Sequence, residues 1–227
     1  MPVHKVAREF IRAAGGYVAA PSANLSGRPS PTVAKYVAED MDGRIEMIID
    51  GGDVEIGLES TIVDMTVEEP MILRPGYITK EMLEEVLETV EEDCTLMRAD
   101  SGQAPKAPGM KYRHYAPKGD LTIVAGEALK VIDYINEQTT QAAAGGKKVG
   151  VIGTDATIGQ YHAQVCKSAG NREQDSTIAK ELYRILREFD DEKVEVIYSE
   201  SFSTQGLGQA IMNRLLKAAG HKVITLE

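Results

Sequence analysis

The stretch of sequence that decides the fold class is residues 194–219, "VEVIYSESFSTQGLGQAIMNRLLKAA". Its opening run of valine, isoleucine and tyrosine predicts a strand over 194–200. Apolar residues then recur at helical spacing, which predicts a helix over 207–219 that stops at Gly220. A strand that leads directly into a helix is the repeating unit of a parallel sheet with right-handed crossovers.

The same strand–helix unit occurs on both sides of this stretch. Strands are predicted over 121–126, 147–154 and 222–227, and helices near 127–142 and 175–189. We therefore expect a Rossmann-like domain with a parallel sheet over residues 119–227. The glycines of 150–159 do not match GxGxxG, so no dinucleotide site is inferred there.

The chain before residue 119 is less regular. A short amphipathic helix is predicted near the N-terminus, a second helical run follows Thr32, and a helix capped by Thr79 is predicted over 80–92. Residues 93–118 carry prolines and glycines without a sustained period, which predicts an interdomain linker. The predicted strands of this part are 16–20, 44–50, 60–66 and 70–74.

Composition limits the classes of function. The net charge of −10 counts against a broad, sequence-independent grip on nucleic acid, which needs clustered lysine and arginine. Cys94 and Cys166 are far apart and lack CxxC spacing, so no metal site or redox pair is predicted, and two reduced thiols fit a cytosolic protein. No apolar run approaches the roughly 18 residues that suggest a membrane span. We expect a cytoplasmic protein that does not contact a membrane.

One polar run is a candidate binding loop: residues 21–32, "PSANLSGRPSPT". Its short hydroxyl and amide side chains, with backbone N–H groups at a following helix N-terminus, could hold phosphate oxygens. The same composition also fits a local role, in which Ser30 or Thr32 caps the helix and Asn24 stabilises a turn. The run by itself leaves both interpretations open.

Three further segments carry candidate chemistry. In "GLESTIVD", residues 57–64, Ser60 and Thr61 start a strand, where they could face a ligand or bond to backbone. In "ILRPGYIT", Arg74 ends a strand before a Pro-Gly turn, either as an anion ligand or as a surface arginine. The loop "PGMKYRHYAP", residues 108–117, combines basic and aromatic side chains, as a lid over an anion would.

In this order, "SANLSG" with "PSPT", "STIVD", "ILRPG" and "PGMKYRHYAP" resemble the YrdC-type threonylcarbamoyl-AMP synthases over essentially the whole chain. The resemblance is to the long form. It implies an α/β fold with the later part of a YrdC-like catalytic domain over 1–92, a linker over 93–118 and a Rossmann-like C-terminal domain over 119–227. The family's Lys-x-Arg motif, which grips ATP phosphates, belongs to an earlier part of the catalytic domain that we expect this chain to lack. We therefore expect the chain alone to be impaired.

The resemblance implies a nucleotidyl transfer in which L-threonine, bicarbonate and ATP give threonylcarbamoyl-AMP and pyrophosphate. The product feeds threonylcarbamoyladenosine formation at position 37 of tRNA, so downstream tRNA-modification proteins are expected partners, without strong direct tRNA binding by this chain. ATP is a substrate, and Mg²⁺ is expected with it. The alternative is a non-catalytic nucleotide-binding module, or one half of a split enzyme.

The resemblance also implies roles for individual residues. The implied catalytic residues are Ser22, Asn24 and Arg74. The implied ATP-binding residues are Ser22, Asn24, Ser30, Thr32, Arg74, Tyr112, Arg113, His114 and Tyr115. The implied threonine-binding residues are Ser22, Ser60 and Thr61, and no metal ligand is implied.

Overall fold

The N-terminal part of the protein is built around a small sheet. The computed structural model describes residues 2–94, 96 and 115–227. Strand β1 pairs antiparallel with β2, β2 pairs parallel with β3, and Ile72, Val90 and Leu96 form a small core beside them. The elements of this part are α1 (Lys5–Ala13), α2 (Ala34–Met41), β1 (Ile62–Asp64), β2 (Met71–Arg74), α3 (Lys80–Glu84) and β3 (Glu91–Glu92).

Two predicted strands of this part are wrong. Residues 16–20 and 44–50 are not strands, and side chains such as those of Tyr17 and Met47 are 86% and 76% exposed. A strand exists only where a neighbouring segment accepts and donates its backbone hydrogen bonds, and within the described residues none pairs with these two. The helix predicted over 80–92 is also too long, because α3 ends at Glu84 and Glu91–Glu92 form β3.

The C-terminal part contains the predicted parallel sheet. Its strands lie in the order β6-β5-β7-β4-β8, and every neighbouring pair is parallel. The prediction missed β6, an edge strand of mixed polar character, and confirmed the other four with shifted ends. The strands are β4 (Asp120–Ala125), β5 (Val149–Gly153), β6 (Val165–Ser168), β7 (Val196–Glu200) and β8 (Val223–Thr225).

Helices cover both faces of this sheet. Helix α4 (Ala128–Ala144) packs on one face, where Ile135 meets Val124 and Val151. Helices α5 (Asp175–Asp191) and α6 (Leu207–Ala218) pack on the other face, in a larger apolar cluster that includes Leu182 and Ile211. A short 3₁₀ helix at Ile158–Gln160 lies between β5 and β6. The observed layers match the α/β class that the strand–helix alternation predicted.

Helices α5 and α6 are buried on two sides. One side of each helix faces the sheet, and the other carries polar residues that contact the N-terminal part, among them the fully buried Arg187 and Arg214. Both helices therefore lie between the parallel sheet and the loops that carry the candidate site. Of the helices in the described ranges, none combines the length and apolar character needed to cross a membrane.

Candidate active site

The loop that follows residue 20 is closed by its own asparagine. Asn24 Nδ2 donates to the carbonyl oxygens of Leu25 at 2.9 Å and Arg28 at 3.2 Å, and its backbone N–H donates to the Ser22 carbonyl at 3.0 Å. The predicted turn-stabilising role of Asn24 is therefore confirmed. Its Oδ1 atom is buried and has no hydrogen-bond partner among the described residues, whereas Ser22 is exposed. The loop thus contains one buried acceptor without a described partner and one exposed hydroxyl.

Neither Ser30 nor Thr32 caps helix α2, so that interpretation is wrong. The N-cap residue is Val33, and no side chain caps it. Ser30 Oγ instead donates to Glu59 Oε1 at 2.9 Å, which joins this loop to the next candidate segment. Thr32 is buried and lines an open groove with the apolar residues of 45–54. The two hydroxyls therefore face different neighbours.

Arg74 and Ser60 lie side by side. Arg74 Nε donates to the Ser60 carbonyl oxygen at 3.0 Å, and Nη2 lies 3.4 Å from Ser60 Oγ. The close approach of these loops requires glycine at position 76, because a Cβ there would lie 2.4 Å from the Thr61 nitrogen. Burial, and then the nearby charge of Arg214, lower the pKa of Arg74, but a guanidinium stays protonated at neutral pH. A fixed positive charge therefore lies next to a serine hydroxyl.

Thr61 supports the shape of this loop. Its Oγ1 donates to the carbonyl oxygen of Ile78 at 2.6 Å. The hydroxyl proton is thus used by the backbone, as one of the two sequence interpretations expected. The oxygen lone pairs of the same hydroxyl can still accept a hydrogen bond from a ligand.

The described end of the linker also reaches the candidate site. Tyr115 is buried and stacks on Tyr183 with ring centroids 5.1 Å apart, and the Ala116 N–H donates to the Gly27 carbonyl at 3.2 Å. Burial, and then the charge of Glu59, raise the pKa of Tyr115 to about 12, so its hydroxyl is protonated at neutral pH. The other predicted lid residues, Tyr112, Arg113 and His114, lie outside the described residues.

Glu59 connects the candidate loops to each other and to helices α5 and α6, although the sequence alone did not single it out. Its carboxylate accepts hydrogen bonds from Ser30 Oγ, from the Tyr183 hydroxyl at 3.0 Å and from Arg214 Nε at 3.1 Å. Burial acts to raise the pKa of Glu59, but the Arg214 charge, a backbone hydrogen bond and the hydrogen bonds from Ser30 and Arg214 outweigh it, so the pKa is lowered. Glu59 is therefore an ionised, partly buried acceptor that joins three segments.

Asp40 plays the matching role on the other side of the 21–32 loop. Its carboxylate accepts hydrogen bonds from Leu25 N–H at 3.1 Å and from the guanidinium groups of Arg28 and Arg187. Burial acts to raise the pKa of Asp40, and the hydrogen bond from Arg187 leads the effects that lower it overall. In the sequence, Asp40 is an acidic residue on the amphipathic helix α2. Such a residue is normally interpreted as exposed to solvent.

Two family models match the chain. One, described as "Threonylcarbamoyl-AMP synthase, C-terminal domain", matches residues 78–220, and one described as "Telomere recombination" matches residues 1–76. Threonylcarbamoyl-AMP synthase of Bacillus subtilis is 48% identical over 99% of this chain, and that of Pyrococcus abyssi is 44% identical over 99%. This chain spans 63% and 64% of the lengths of those two relatives.

Solved structures show the same fold. A doubly substituted Sua5 from P. abyssi matches 100% of this chain and 63% of its own, with a TM-score of 0.90 and 42% identity. A crystal structure of P. abyssi Sua5 complexed with L-threonine matches 100% of this chain and 65% of its own, with a TM-score of 0.89 and 41% identity. Taken with the family models, these likenesses show that the chain belongs to the threonylcarbamoyl-AMP synthase family.

Proposed function

We propose that this chain supplies active-site residues for making threonylcarbamoyl-AMP and pyrophosphate from L-threonine, bicarbonate and ATP. Family membership supports the reaction, and one contact carries the assignment to this site: Arg74 bonded to Ser60. Glu59 joins that pair to Ser30 of the neighbouring loop. A cation and several short hydroxyls at one place suit a site that must hold anions and polar substrate groups together.

The reaction joins two negatively charged groups. A carboxylate oxygen of the threonine carbamate attacks the α-phosphorus of ATP, and the bond from that phosphorus to the bridging oxygen breaks, releasing pyrophosphate. We assign to Arg74 the role of holding phosphate oxygens, because a guanidinium keeps its charge and its donors point in fixed directions. Ser22, Asn24, Ser30 and Thr32 are assigned to ATP by neutral hydrogen bonds, with Tyr112, Arg113, His114 and Tyr115 closing over the nucleotide.

L-threonine is assigned to Ser22, Ser60 and Thr61. The support is twofold: a P. abyssi relative of the same fold has been crystallised with L-threonine, and Ser60 contacts Arg74 here while Thr61 packs closely against Gly76. The buried Oδ1 of Asn24 is an acceptor that an N–H or O–H group of the ligand could satisfy. Ser22 and Asn24 then share the catalytic role with Arg74 by orienting the two reactants.

Magnesium is part of the proposal only through the nucleotide. Within the described residues, no group of three or more His, Cys, Asp and Glu side chains is arranged to hold a metal ion. Mg²⁺ commonly binds through substrate phosphates, water and one or two carboxylates, and no step assigned above depends on it. We further propose a cytoplasmic location, and product use by downstream proteins that form threonylcarbamoyladenosine in tRNA, with no strong tRNA binding by this acidic chain.

The second candidate function is that of one half of a split enzyme or of a non-catalytic nucleotide-binding module. One observation favours it. Residues 44–50 are not paired into a sheet, and Ile45, Met47 and Ile49 are exposed there. A segment with that composition suits pairing with another polypeptide that supplies the family's Lys-x-Arg motif. In that case this chain binds substrate groups but turns over only in the complex.

The test compares the chain alone with a mixture that contains the Lys-x-Arg segment of a relative as a separate polypeptide. We expect threonine- and bicarbonate-dependent pyrophosphate release from the mixture and little from the chain alone. Arg74→Met should lower turnover of the mixture by about 10²-fold, whereas the control Arg184→Met, on α5 and paired with Glu181 and Glu188, should not. Release that does not depend on threonine, or equal rates for both variants, would contradict the proposal.

A further inference from the structure

Two buried arginines connect the C-terminal domain to the candidate site. Arg187 on α5 and Arg214 on α6 each have 0% of their surface exposed. Apart from one contact of Arg214 with Asn213 on the same helix, their guanidinium hydrogen bonds go to the N-terminal part. A fully buried guanidinium is costly unless its donors are satisfied, so the partners of each arginine are tightly constrained.

Arg214 contacts two of the candidate loops directly. Its Nε donates to Glu59 Oε2 at 3.1 Å, and its Nη1 donates to the carbonyl oxygen of Pro75 at 2.6 Å. Glu59 immediately precedes Ser60, and Pro75 immediately follows Arg74. One planar guanidinium therefore fixes the backbone on both sides of the Ser60–Arg74 pair, because its donors leave in fixed directions.

Glu59 extends this connection to the third candidate loop. Its Oε2 also accepts from the Tyr183 hydroxyl, and its Oε1 accepts from Ser30 Oγ. Gly57 adds a close approach to α5: a Cβ there would lie 2.3 Å from the Ala179 carbonyl oxygen. The segment 57–61 is thus held against α5 and α6 and carries Ser30 with it.

Arg187 holds the 21–32 loop from the opposite side. Its Nε donates to the Pro29 carbonyl at 3.0 Å, and both Nη atoms donate to the Asp40 carboxylate. Asp40 in turn accepts from the Leu25 N–H and from Arg28. The loop is therefore held at Leu25 by Asp40 and at Pro29 by Arg187, and the two side chains of this ion pair are 0% exposed.

We propose that Arg187 and Arg214 are positioning residues. Through them the C-terminal domain sets the position of the 21–32 loop relative to the loops that carry Ser60 and Arg74. The proposal gives α5 and α6 a role in the reaction that requires no contact with substrate. What the positioned loops bind rests on the proposed function, whereas the positioning itself does not. Small displacements of such loops matter, because a misplacement of about 1 Å can cost about 10²-fold in rate.

The first experiment measures L-threonine affinity and loop protection in Arg214→Met. Titration calorimetry with L-threonine should show about tenfold weaker binding, the size of effect expected from losing a charged hydrogen bond that orders the site. Amide hydrogen exchange should rise most in peptides covering 57–61, less in 22–32, which Arg187 and Asp40 still anchor, and stay unchanged in β5 and β7. The control is Arg184→Met on α5, whose side chain is 39% exposed and pairs with Glu181 and Glu188.

A second variant separates positioning from stability. In Glu59→Gln with Arg214→Met, no uncompensated buried charge remains, so the thermal midpoint should return towards that of the unsubstituted protein. L-threonine affinity and the fast exchange of 57–61 should not recover, because Arg187 and Asp40 still hold the 21–32 loop to α5 whereas no cation of α6 then fixes the 57–61 segment beside it. Recovery of affinity together with stability would overturn the proposal.

The outcomes also distinguish this proposal from the proposed function. If the unsubstituted chain fails to bind L-threonine, alone or in the mixture with the Lys-x-Arg polypeptide, the proposed function fails. The exchange data then decide the positioning role by themselves. Exchange that rises equally in the loops and in β5 and β7, or in neither, would show that Arg214 acts only as a general stabilising residue.

Discussion

The two parts of this molecule have similar apolar patterns and very different structures. In the C-terminal part, runs such as 121–126 and 194–200 form paired strands of a parallel sheet, with Ile123 and Ile197 0% exposed. In the N-terminal part, the comparable run 44–50 is irregular and not part of a sheet, and its isoleucines are exposed. The difference teaches that a β-branched run encodes a preference for extended backbone, and that a strand needs a partner to satisfy its hydrogen bonds.

The two parts also differ in what stabilises them. The C-terminal sheet has apolar clusters on both faces, whereas the described N-terminal part has one small cluster around Ile72. Much of the N-terminal part is instead anchored to α5 and α6 by buried ion pairs such as Asp40–Arg187. We therefore expect polar contacts to control the N-terminal part and apolar packing to control the C-terminal part.

The largest effect should come from removing the charge of Asp40. Asp40→Asn leaves Arg187 and Arg28 facing a neutral amide in a buried site, and should lower the free energy of unfolding by about 3–5 kcal/mol. Denaturant titration followed by circular dichroism measures this loss. Asp42→Asn, at the exposed C-cap of α2 two residues after Asp40, is the matched control and should change stability by less than about 0.5 kcal/mol. Equal losses for the two variants would break the comparison.

Apolar truncations should affect the two parts unequally. Leu182→Ala, in the cluster beneath α5 and 0% exposed, should cost about 2–5 kcal/mol because it leaves a cavity. Met47→Ala, in the unpaired segment and 76% exposed, should change the free energy of unfolding by less than about 0.5 kcal/mol. Thermal unfolding of both variants at one pH measures the contrast. A large loss from Met47→Ala would show that 44–50 is packed in solution.

A smaller effect should come from two glycines that share a backbone conformation. Gly57 and Gly52 both have positive φ, +78° and +91°, but only Gly57 would bring a Cβ against α5. Gly57→Ala should therefore cost about 1–3 kcal/mol, and Gly52→Ala about 1 kcal/mol from backbone strain alone. The difference between the two midpoints of denaturation isolates the contact with α5. Identical midpoints would mean that the 57–61 segment does not rest on that helix.

The candidate site was only partly predictable from sequence. Spacing suggested that Asn24 shapes a turn and that Ser60 and Arg74 flank strands, and the structure brings Ser60 and Arg74 into contact. Glu59 was not predicted as a site residue, because an acidic residue in a polar loop is normally exposed to solvent. Its ionised state and its importance follow from Arg214, which lies 155 positions away in the chain.

The sequence by itself determined the class of the C-terminal domain, because periodicities of two and of about 3.6 residues are local consequences of backbone geometry. Together with its motifs, it also determined the family resemblance that the comparisons bear out. Only the tertiary structure decided which β-branched runs become strands, and which charged residues of α2, α5 and α6 are buried. The physical reason is that hydrogen-bond partners and ion-pair partners are distant in sequence, so their pairing exists only once the two parts of the chain are packed together.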